Sequence, residues 1–370
     1  MKAVGIILAG GNSGGRLEEL TTLRAASAMP VGGCYRVIDF PLSNMANSGI
    51  AKVAIITQYN SRSLHDHLSS SKWWDLGRKQ GGLFVFSPFL SSENSFWFRG
   101  TADSIYQNIT FLNRSNEPYV LITSGNAIYK MDYNDLLKYH IEKDADITVM
   151  YKNLSGQDLR NYGVLELDKN KRIIEFEEKP LEPQSTCVSL GVYIIKRELL
   201  IKLLTEIAAE GRHDFVKDIL IRYRKMLEIY AYPFDGYWKT LNSVQSYYST
   251  NMDFLDKNVR DMFIKQYPYI ETKAKDEPPA KFNAMATVRN SLVADGSILN
   301  GTVENSVLFR KVFTGENSLI KNSIIMEGCE IGIGCHIENT IMDKGVRIAE
   351  GRQFIGTPDE PLIIKKNSVS

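Results

Sequence analysis

The 370-residue sequence has no long apolar run and almost no net charge. Its first residues carry one positive charge and a six-residue apolar stretch ending at Ala9, which is too short for a signal sequence or a membrane span. The formal net charge is +1, so no overall field favours nucleic acid or a membrane surface. We therefore expect a cytoplasmic protein that binds neither nucleic acid nor membranes.

Cysteine is also scarce, and its four copies stand far apart at Cys34, Cys187, Cys329 and Cys335. No CxxC spacing occurs, so neither a disulfide framework nor a zinc site is indicated. We expect reduced, partly buried thiols.

Two common nucleotide-binding patterns, GxGxxG and GxxxxGK[ST], are absent as well. In their place, an apolar run at 4–8 is followed by the glycine-rich loop AGGNSGGRL at 9–17. Backbone amides in such a loop can approach a phosphate closely. The same composition is compatible with a tight turn alone.

The stretch YVLITSGNAIYKMDY at 119–133 begins with an apolar, β-branched run that predicts a strand buried on both faces of a parallel sheet. Ser124, Gly125 and Asn126 end this strand. In open α/β sheets the ligand lies beyond the carboxyl ends of the strands, so we expect Asn126 to face it. A magnesium ion would prefer a carboxylate at that position, and Asn126 carries no charge.

A repeat occupies the last part of the chain, where Asn290, Asn305, Asn322 and Asn339 each precede a similar short apolar run. Their spacings of 15, 17 and 17 residues are close to the roughly 18 needed for three six-residue sides of a triangular coil. Apolar residues six apart, such as Leu292 and Ile298 or Ile331 and Ile337, fit this template. The pattern predicts a left-handed parallel β-helix, a fold that commonly provides contacts between subunits.

The chain is long enough for two domains, and its composition indicates where they divide. An apolar stripe from Val244 to Leu255 predicts a helix that closes the first domain. The charged stretch 258–282 contains the Pro278-Pro279 pair and predicts an extended linker. We therefore expect an α/β domain with a mostly parallel sheet at 1–257, a linker at 258–282 and the β-helix at 283–370.

Nine motifs distributed along nearly the whole sequence carry a joint resemblance to a known family. They are LAGG at 8–11, YRVIDFPLSN at 35–44, NSGI at 47–50, GTAD at 100–103, YQN at 106–108, IYKMDY at 128–133, EKP at 178–180, HDF at 213–215 and PPAKF at 278–282. Together they resemble the glucose-1-phosphate adenylyltransferases of bacterial glycogen synthesis.

This resemblance implies a Rossmann-like nucleotidyltransferase domain that joins ATP to glucose 1-phosphate with magnesium. It implies that Lys179 holds the sugar phosphate, although an isolated lysine at a strand end is usually an ordinary surface residue. It also implies two groups of binding residues. The sugar-phosphate candidates are Gly163, Glu178, Lys179, Ser189 and Gly191, and the nucleotide candidates are Gly10, Gly11, Arg16, Gly100, Thr101 and Gly125.

The sequence departs from the family motifs at positions that carry chemistry. The glycine loop is one residue longer than GGxGTRL, and Ala26 stands where the family has the lysine of RAKPA. Asn126 replaces the aspartate of SGD, and Thr240 replaces the aspartate of YWxD. Both implied magnesium carboxylates and one cation are thus missing. This pattern resembles the non-catalytic regulatory subunit of the same enzyme, the GlgD type.

The resemblance therefore implies a regulatory, catalytically deficient subunit that assembles with an active homologue, as a tetramer. We expect the active partner to bind magnesium and this chain not to bind it tightly. Candidate ligands of this chain are ATP, ADP-glucose, glucose 1-phosphate or sugar-phosphate effectors. Three alternatives stay open. Asn126 is a turn residue of an active site that finds its metal elsewhere, the chain is a slow self-sufficient enzyme, or it is a sugar-phosphate or nucleotide sensor without a partner.

Other features give weaker indications. The HDH sequence at 65–67 lies in a Ser-rich stretch predicted to be a loop, and no third ligand at a recognisable spacing supports a metal site. Aromatic clusters at 72–75 and 96–98 are able to stack a base, but such side chains more often fill cores or contacts between chains. A single histidine in the repeat, His336, favours a structural role over acyl transfer.

Overall fold

The structure is a computed structural model that describes residues 2–11, 17–77, 81–89 and 97–369. Its N-terminal part is an α/β domain with a mixed central sheet. The strands of this part are β1 (Ala3–Leu8), β2 (Pro30–Val31), β3 (Tyr35–Arg36), β4 (Lys52–Ile56), β5 (Gly82–Phe86), β6 (Tyr119–Ser124), β7 (Ala127–Tyr129), β8 (Ile147–Asn153), β9 (Gly163–Leu167), β10 (Ile173–Glu178), β11 (Cys187–Lys196), β12 (Ile229–Pro233) and β13 (Trp238–Thr240).

Helices pack on both faces of this sheet, and the last two belong to a third apolar cluster. They are α1 (Asp39–Asn47), α2 (Arg62–His67), α3 (Thr101–Tyr106), α4 (Ile109–Asn113), α5 (Tyr133–Glu142), α6 (Arg197–Ala209), α7 (Val244–Asp253) and α8 (Lys257–Ile264). One-turn 3₁₀ helices cover Glu18–Thr21, Ala26–Ala28 and Ser71–Trp74, and a π-helical turn covers Val216–Ile221.

Strand β6 shows how the sheet is buried. Val120 and Ile122 contact the apolar cluster that includes α3, α4 and α6, whereas Leu121 contacts the opposite cluster, which includes α1 and α5. This alternation is the period-two pattern of a strand covered on both faces. The prediction of a strand at 119–123 that is buried on both sides is therefore confirmed.

The central sheet runs in the order β10-β9-β11-β6-β1-β4-β5, and β8 pairs with both β11 and β12. Strands β5, β4, β1 and β6 are parallel, so their carboxyl ends meet at one edge. Strand β11 is antiparallel to β6, β8 and β9. The predicted α/β domain is confirmed, and its sheet is mixed because β6 has a parallel neighbour on one side only.

The C-terminal part is the predicted left-handed parallel β-helix. Its first sheet contains β14 (Lys281–Phe282), β17 (Ile298–Leu299), β20 (Phe313–Thr314), β23 (Glu330–Ile331) and β26 (Arg347–Ile348). Its second contains β15 (Thr287–Arg289), β18 (Thr302–Glu304), β21 (Leu319–Lys321), β24 (His336–Glu338) and β27 (Gln353–Ile355). Its third contains β16 (Leu292–Val293), β19 (Val307–Leu308), β22 (Ile324–Ile325), β25 (Thr340–Met342) and β28 (Leu362–Ile364).

Apolar side chains stack inside the coils of the β-helix. Val303, Ile320 and Ile337 are in register on successive coils and are fully buried. The six-residue template places Ile331 and Ile337 inside as expected, but Ile298 is 40% exposed, and Leu299 points inward in its place. The repeated asparagines occupy left-handed turns, with φ values of 41°, 45°, 47° and 46° at Asn290, Asn305, Asn322 and Asn339.

Two predictions about loops are wrong, one of them only in part. The predicted linker at 258–282 begins with helix α8, because Phe263 is fully buried against Phe40 and Phe254, whereas no helix or strand lies between 265 and 280. The HDH sequence at 65–67 lies in helix α2, where His67 Nε2 is 2.6 Å from Asp39 Oδ1. Among the described residues, no helix is both long and apolar enough to cross a membrane.

Candidate functional site

Two loops meet at the carboxyl edge of the parallel strands. The turn after β6 contains Gly125, whose amide donates a hydrogen bond to Leu8 O at the end of β1 (2.9 Å). A Cβ at Gly125 would lie 3.1 Å from Ala9 Cβ, which is tighter than an ordinary contact. Glycine at this position therefore allows the two loops to pack together.

A first cleft of about 230 Å³ opens beside these loops. Four of the predicted nucleotide-binding residues line it: Gly10, Gly11, Gly100 and Thr101. Gly125 lies at the junction described above, and Arg16 lies outside the described residues. A Cβ at Gly100 would be only 2.4 Å from His213 O, so this wall of the cleft requires glycine.

Gln58 fixes the aromatic wall of the first cleft. Its side-chain amide accepts from Phe98 N (2.7 Å) and donates to Phe98 O (3.3 Å). Next to it, Arg99 lines the cleft and pairs with Asp103 at 2.9 Å. At this wall of the cleft, the charge of the arginine is therefore paired with a carboxylate. These two residues, Gln58 and Arg99, were not predicted from the sequence.

A second cleft, of about 270 Å³, lies beyond the ends of β6, β9 and β10. All five residues predicted to bind the sugar phosphate line it: Gly163, Glu178, Lys179, Ser189 and Gly191. The structure thus brings together residues that are spread over nearly thirty positions of the sequence.

Local backbone irregularities position the groups of the second cleft. Lys179 has a left-handed backbone, with φ of 54°, and its amide donates to Tyr162 O (3.0 Å). Its ammonium group lies 2.9 Å from Glu178 Oε1. The pairing of β11 with β8 shifts register between Ser189 and Tyr193, where Gly191 has φ of 69°. This bulge places Ser189 and Gly191 against the cleft.

Asn126 and Thr240 also line the second cleft, one on each side of a short strand pair. Strands β7 and β13 are antiparallel, with Ala127 opposite Thr240. Thr240 Oγ1 lies 3.4 Å from Asn126 O, and Ser124 Oγ donates to Asn126 Oδ1 at 2.6 Å. The two positions at which the family resemblance implies magnesium carboxylates are therefore neighbours.

These residues do not fit a magnesium site. Among the described residues that line the second cleft, Glu178 is the one carboxylate, and it pairs with Lys179. The side-chain oxygen of Asn126 already accepts a hydrogen bond from Ser124. Magnesium requires near-octahedral oxygen ligands and normally takes one or two carboxylates. Across the described part of the chain, no group of three His, Cys, Asp or Glu side chains is close enough to hold a metal ion.

Ala26 stands apart from both clefts. It begins a one-turn 3₁₀ helix and packs, partly buried, against the apolar cluster that contains Leu17 and Phe40. In the described structure it lines neither cleft.

Several groups of the second cleft were missed by the sequence analysis as binding residues. Trp238 and Asn242 lie two positions to either side of the already identified Thr240 along β13 and its extension. All three face the same cleft, a period-two signal that was available in the sequence. Asn242 Nδ2 donates to Tyr162 Oη (3.2 Å), and burial raises the pKa of the Tyr162 hydroxyl. Asn161 and Tyr193 complete the missed set.

Comparison with known proteins agrees with this architecture. Residues 4–257 match the family model described as nucleotidyl transferase, and residues 278–360 match the one described as GlmU-like, C-terminal hexapeptide. The chain is 41% identical to glucose-1-phosphate adenylyltransferase of Geobacillus stearothermophilus over 324 residues, which cover 86% of the chain and 83% of that protein. It is 39% identical to the protein of the same name from Bacillus cereus strain ATCC 10987 over 353 residues, covering 95% and 94%. The corresponding protein of Bacillus anthracis is 40% identical over 357 residues, again covering 95% and 94%.

Proposed function

Because the chain belongs to the glucose-1-phosphate adenylyltransferase family, we propose that it is a regulatory, catalytically deficient subunit. It assembles with an active homologous subunit that makes ADP-glucose from ATP and glucose 1-phosphate for glycogen synthesis. The observation that supports this proposal is the pair Asn126 and Thr240. Their uncharged side chains line the cleft at the two positions where the family motifs have aspartate.

The physical argument concerns charge. The reaction brings a sugar phosphate against the α-phosphate of a nucleotide, so anionic oxygens approach one another. Catalysis of such transfers depends mainly on positioning and on neutralisation by metal ions and basic groups. Loss of one electrostatic group commonly costs about a hundredfold to a thousandfold in rate. Loss of two metal ligands reduces turnover further, although such effects are not additive.

The groups that bind substrates are better preserved than those that neutralise charge. Lys179, Ser189 and the glycines of the second cleft are present and lie together, and Arg99 lines the first cleft. We infer that the chain retains affinity for a sugar phosphate or a nucleotide. A subunit that binds these ligands without converting them is suited to influence its partner, because allostery requires only different affinities in two states.

The experiment compares the purified chain, an active homologue with both aspartates, and their mixture. Each is assayed with magnesium, ATP and glucose 1-phosphate, and complex formation is measured by light scattering after gel filtration. We expect negligible activity from the chain alone, a mixed oligomer, and changed kinetics in the mixture. Strong activity of the chain alone would establish a self-sufficient enzyme. Ligand binding without any complex would instead establish a sensor.

A further inference from the structure

A groove of about 620 Å³, larger than either cleft, lies along the turns of the β-helix. Its β-helix side is formed by the repeated turn residues Asn290, Asn305, Asn322 and Asn339. Helix α7 and the segment after it contribute Tyr248, Met252 and Leu255. The groove shares no lining residue with the two clefts or with a narrow, cation-lined cavity around Arg36 and Lys344. We term it the asparagine groove.

The asparagines of this groove form a row across successive coils. The main-chain amides of Asn305, Asn322 and Asn339 each donate to a carbonyl group of the preceding coil, at 3.0 to 3.2 Å. Neighbouring strands of a sheet lie about 4.8 Å apart, so the row presents one carboxamide at each such interval over roughly 14 Å. Helix α7 is held beside the row, because Tyr248 Oη donates to Asn322 O at 2.6 Å.

Part of the hydrogen-bonding capacity of the row is unused within the described part of the chain. Asn290 Nδ2 donates to Asn305 Oδ1 at 2.8 Å, but the side-chain amide of Asn322 bonds no other described residue. Asn339 is only 7% exposed and donates to Gly356 O at 3.3 Å, while its side-chain oxygen is buried without a partner. Buried polar atoms in proteins are nearly always bonded to protein, water or ligand. The row therefore favours a ligand that can both donate and accept hydrogen bonds.

The lining of the groove carries no net charge. Of the described residues that form it, Asp256 is the one acid and Lys257 the one base. Asp256 caps helix α8, because its Oδ1 accepts from Asn258 N at 2.7 Å and from Val259 N at 3.3 Å. An anion would require more basic groups, and a metal ion more carboxylates. A wholly apolar ligand would leave the carboxamides unpaired. The chemistry of the lining thus favours an uncharged, polyhydroxylated ligand.

The spacing of the row distinguishes between two such ligands. A carboxamide donates and accepts side by side, which matches the neighbouring hydroxyl groups of a sugar ring, and the ring faces can pack on Tyr248 and Met252. An extended peptide offers similar groups, but its repeat of about 3.4 Å per residue differs from the interval of about 4.8 Å in the row.

We propose that the asparagine groove binds a neutral oligosaccharide. The carboxamides of Asn305 and Asn322 bond its hydroxyl groups, and Asn339 accepts a hydrogen bond at the buried end of the row. A chain of several sugar rings suits the length of the row better than a single ring does. This proposal does not depend on the catalytic deficiency of the chain or on ligand binding in either cleft.

The test is saturation-transfer NMR of the full chain with maltotriose and with cellotriose, two neutral trisaccharides that differ in linkage. We expect saturable, millimolar binding of at least one of them. Asn305→Gly with Asn322→Gly should weaken that binding about tenfold, because two carboxamides are lost while glycine accepts the left-handed turns. Asn317→Gly is the matched control, since Asn317 is another left-handed asparagine of the β-helix, with φ of 56°, and lies outside the groove. It should leave the affinity unchanged.

Four results would overturn the proposal. Neither trisaccharide binds, or the double glycine variant binds them as tightly as the unmodified chain. Saturating glucose 1-phosphate displaces the trisaccharide, which would place the binding in the second cleft. Pentaglycine, a neutral peptide, binds more tightly than either trisaccharide, which would assign the groove to a peptide. If the double variant does not fold, Asn305→Gly alone, at an exposed position, should weaken binding about threefold, and an unchanged affinity contradicts the proposal.

Discussion

At the scale of single residues, Asn126 and Thr240 give the second cleft an amide and a hydroxyl where the family motifs have aspartates. Two carboxylates without a bound cation would repel the phosphates of a substrate. An amide and a hydroxyl offer hydrogen bonds and no repulsion. We therefore propose that the cleft binds a phosphorylated ligand without metal, in keeping with the few oxygen ligands that it offers to magnesium.

Restoring the missing charges should restore turnover. We expect Asn126→Asp with Thr240→Asp to raise the rate of ADP-glucose formation by the isolated chain about a hundredfold or more, since each electrostatic group commonly contributes that much. Adding Ala26→Lys should raise it further if the lysine reaches the cleft from its partly buried site. The measurement is pyrophosphate release with ATP and glucose 1-phosphate as a function of magnesium concentration.

The control for this prediction is Asn116→Asp, which adds a carboxylate at an exposed position that lines neither cleft. It should leave turnover unchanged. If the paired aspartates also leave turnover flat, the missing carboxylates were not what limited the reaction.

Lys179→Ala should weaken binding of glucose 1-phosphate by about tenfold. The Lys179 side chain is 49% exposed. The expected loss of binding free energy is therefore about 1.5 kcal/mol, the lower end of the range for a hydrogen bond to a charged group. Binding is measured by calorimetry without magnesium. Lys152→Ala serves as the control, because Lys152 Nζ contacts Asp235 O and Gly236 O outside the cleft. Equal affinities of Lys179→Ala and the unmodified chain would exclude a role in binding.

Sequence patterns identified more of the residues that line the two clefts than of the contacts between those residues. Asn126 was identifiable because a buried strand ends just before it, and Lys179 because a motif contains it. The bond from Ser124 Oγ to Asn126 Oδ1 depends on rotamers that no pattern specifies. Gln58 was missed because its partners are backbone atoms forty positions away.

At the scale of single elements, the β-helix follows most directly from the sequence. Each repeated asparagine takes a left-handed turn that ordinary side chains disfavour, and its spacing marks one coil. Helices α2 and α8 were missed because such short segments owe their stability to tertiary contacts more than to propensity. His67 of α2 bonds the buried Asp39, and Phe263 of α8 enters a core that the sequence does not reveal.

The left-handed turns give a prediction about backbone conformation. At Asn322, with φ of 47°, replacement by alanine should lower the free energy of unfolding by about 1 kcal/mol more than replacement by glycine, because only alanine is strained there. Lys321 in β21 is the matched control. In that extended position glycine should cost more than alanine. Denaturant unfolding measures the stability of the alanine and glycine variants at both positions. If the same variant is the less stable one at Asn322 and at Lys321, the explanation is contradicted.

At the scale of the whole molecule, the two domains share one apolar cluster. It combines Phe40, Tyr247 and Phe254 of the α/β domain with Val307 and Ile324 of the β-helix. Such a cluster favours a fixed arrangement of the domains, because separating them would expose its apolar side chains. The contact between the domains was not predictable, because each of these apolar residues could equally belong to the core of its own domain.

A buried ion pair crosses the same interface and links residues 319 positions apart. Arg24 Nη2 donates to both carboxylate oxygens of Asp343 at 2.6 and 2.7 Å, and both side chains are about 95% buried. Removal of one partner leaves an unpaired buried charge, which commonly costs 3–5 kcal/mol, whereas apolar replacement of both is often nearly neutral.

We therefore expect Asp343→Leu alone to lower the free energy of unfolding by about 3 kcal/mol or more, and Arg24→Met added to it to recover most of that loss. Denaturant unfolding of both single variants and the double variant measures the coupling. Arg172→Met is the control, because its pair with Glu228 is exposed and its loss should cost less than about 1 kcal/mol. Strictly additive losses for Arg24 and Asp343 would show that the pair does not couple the two domains.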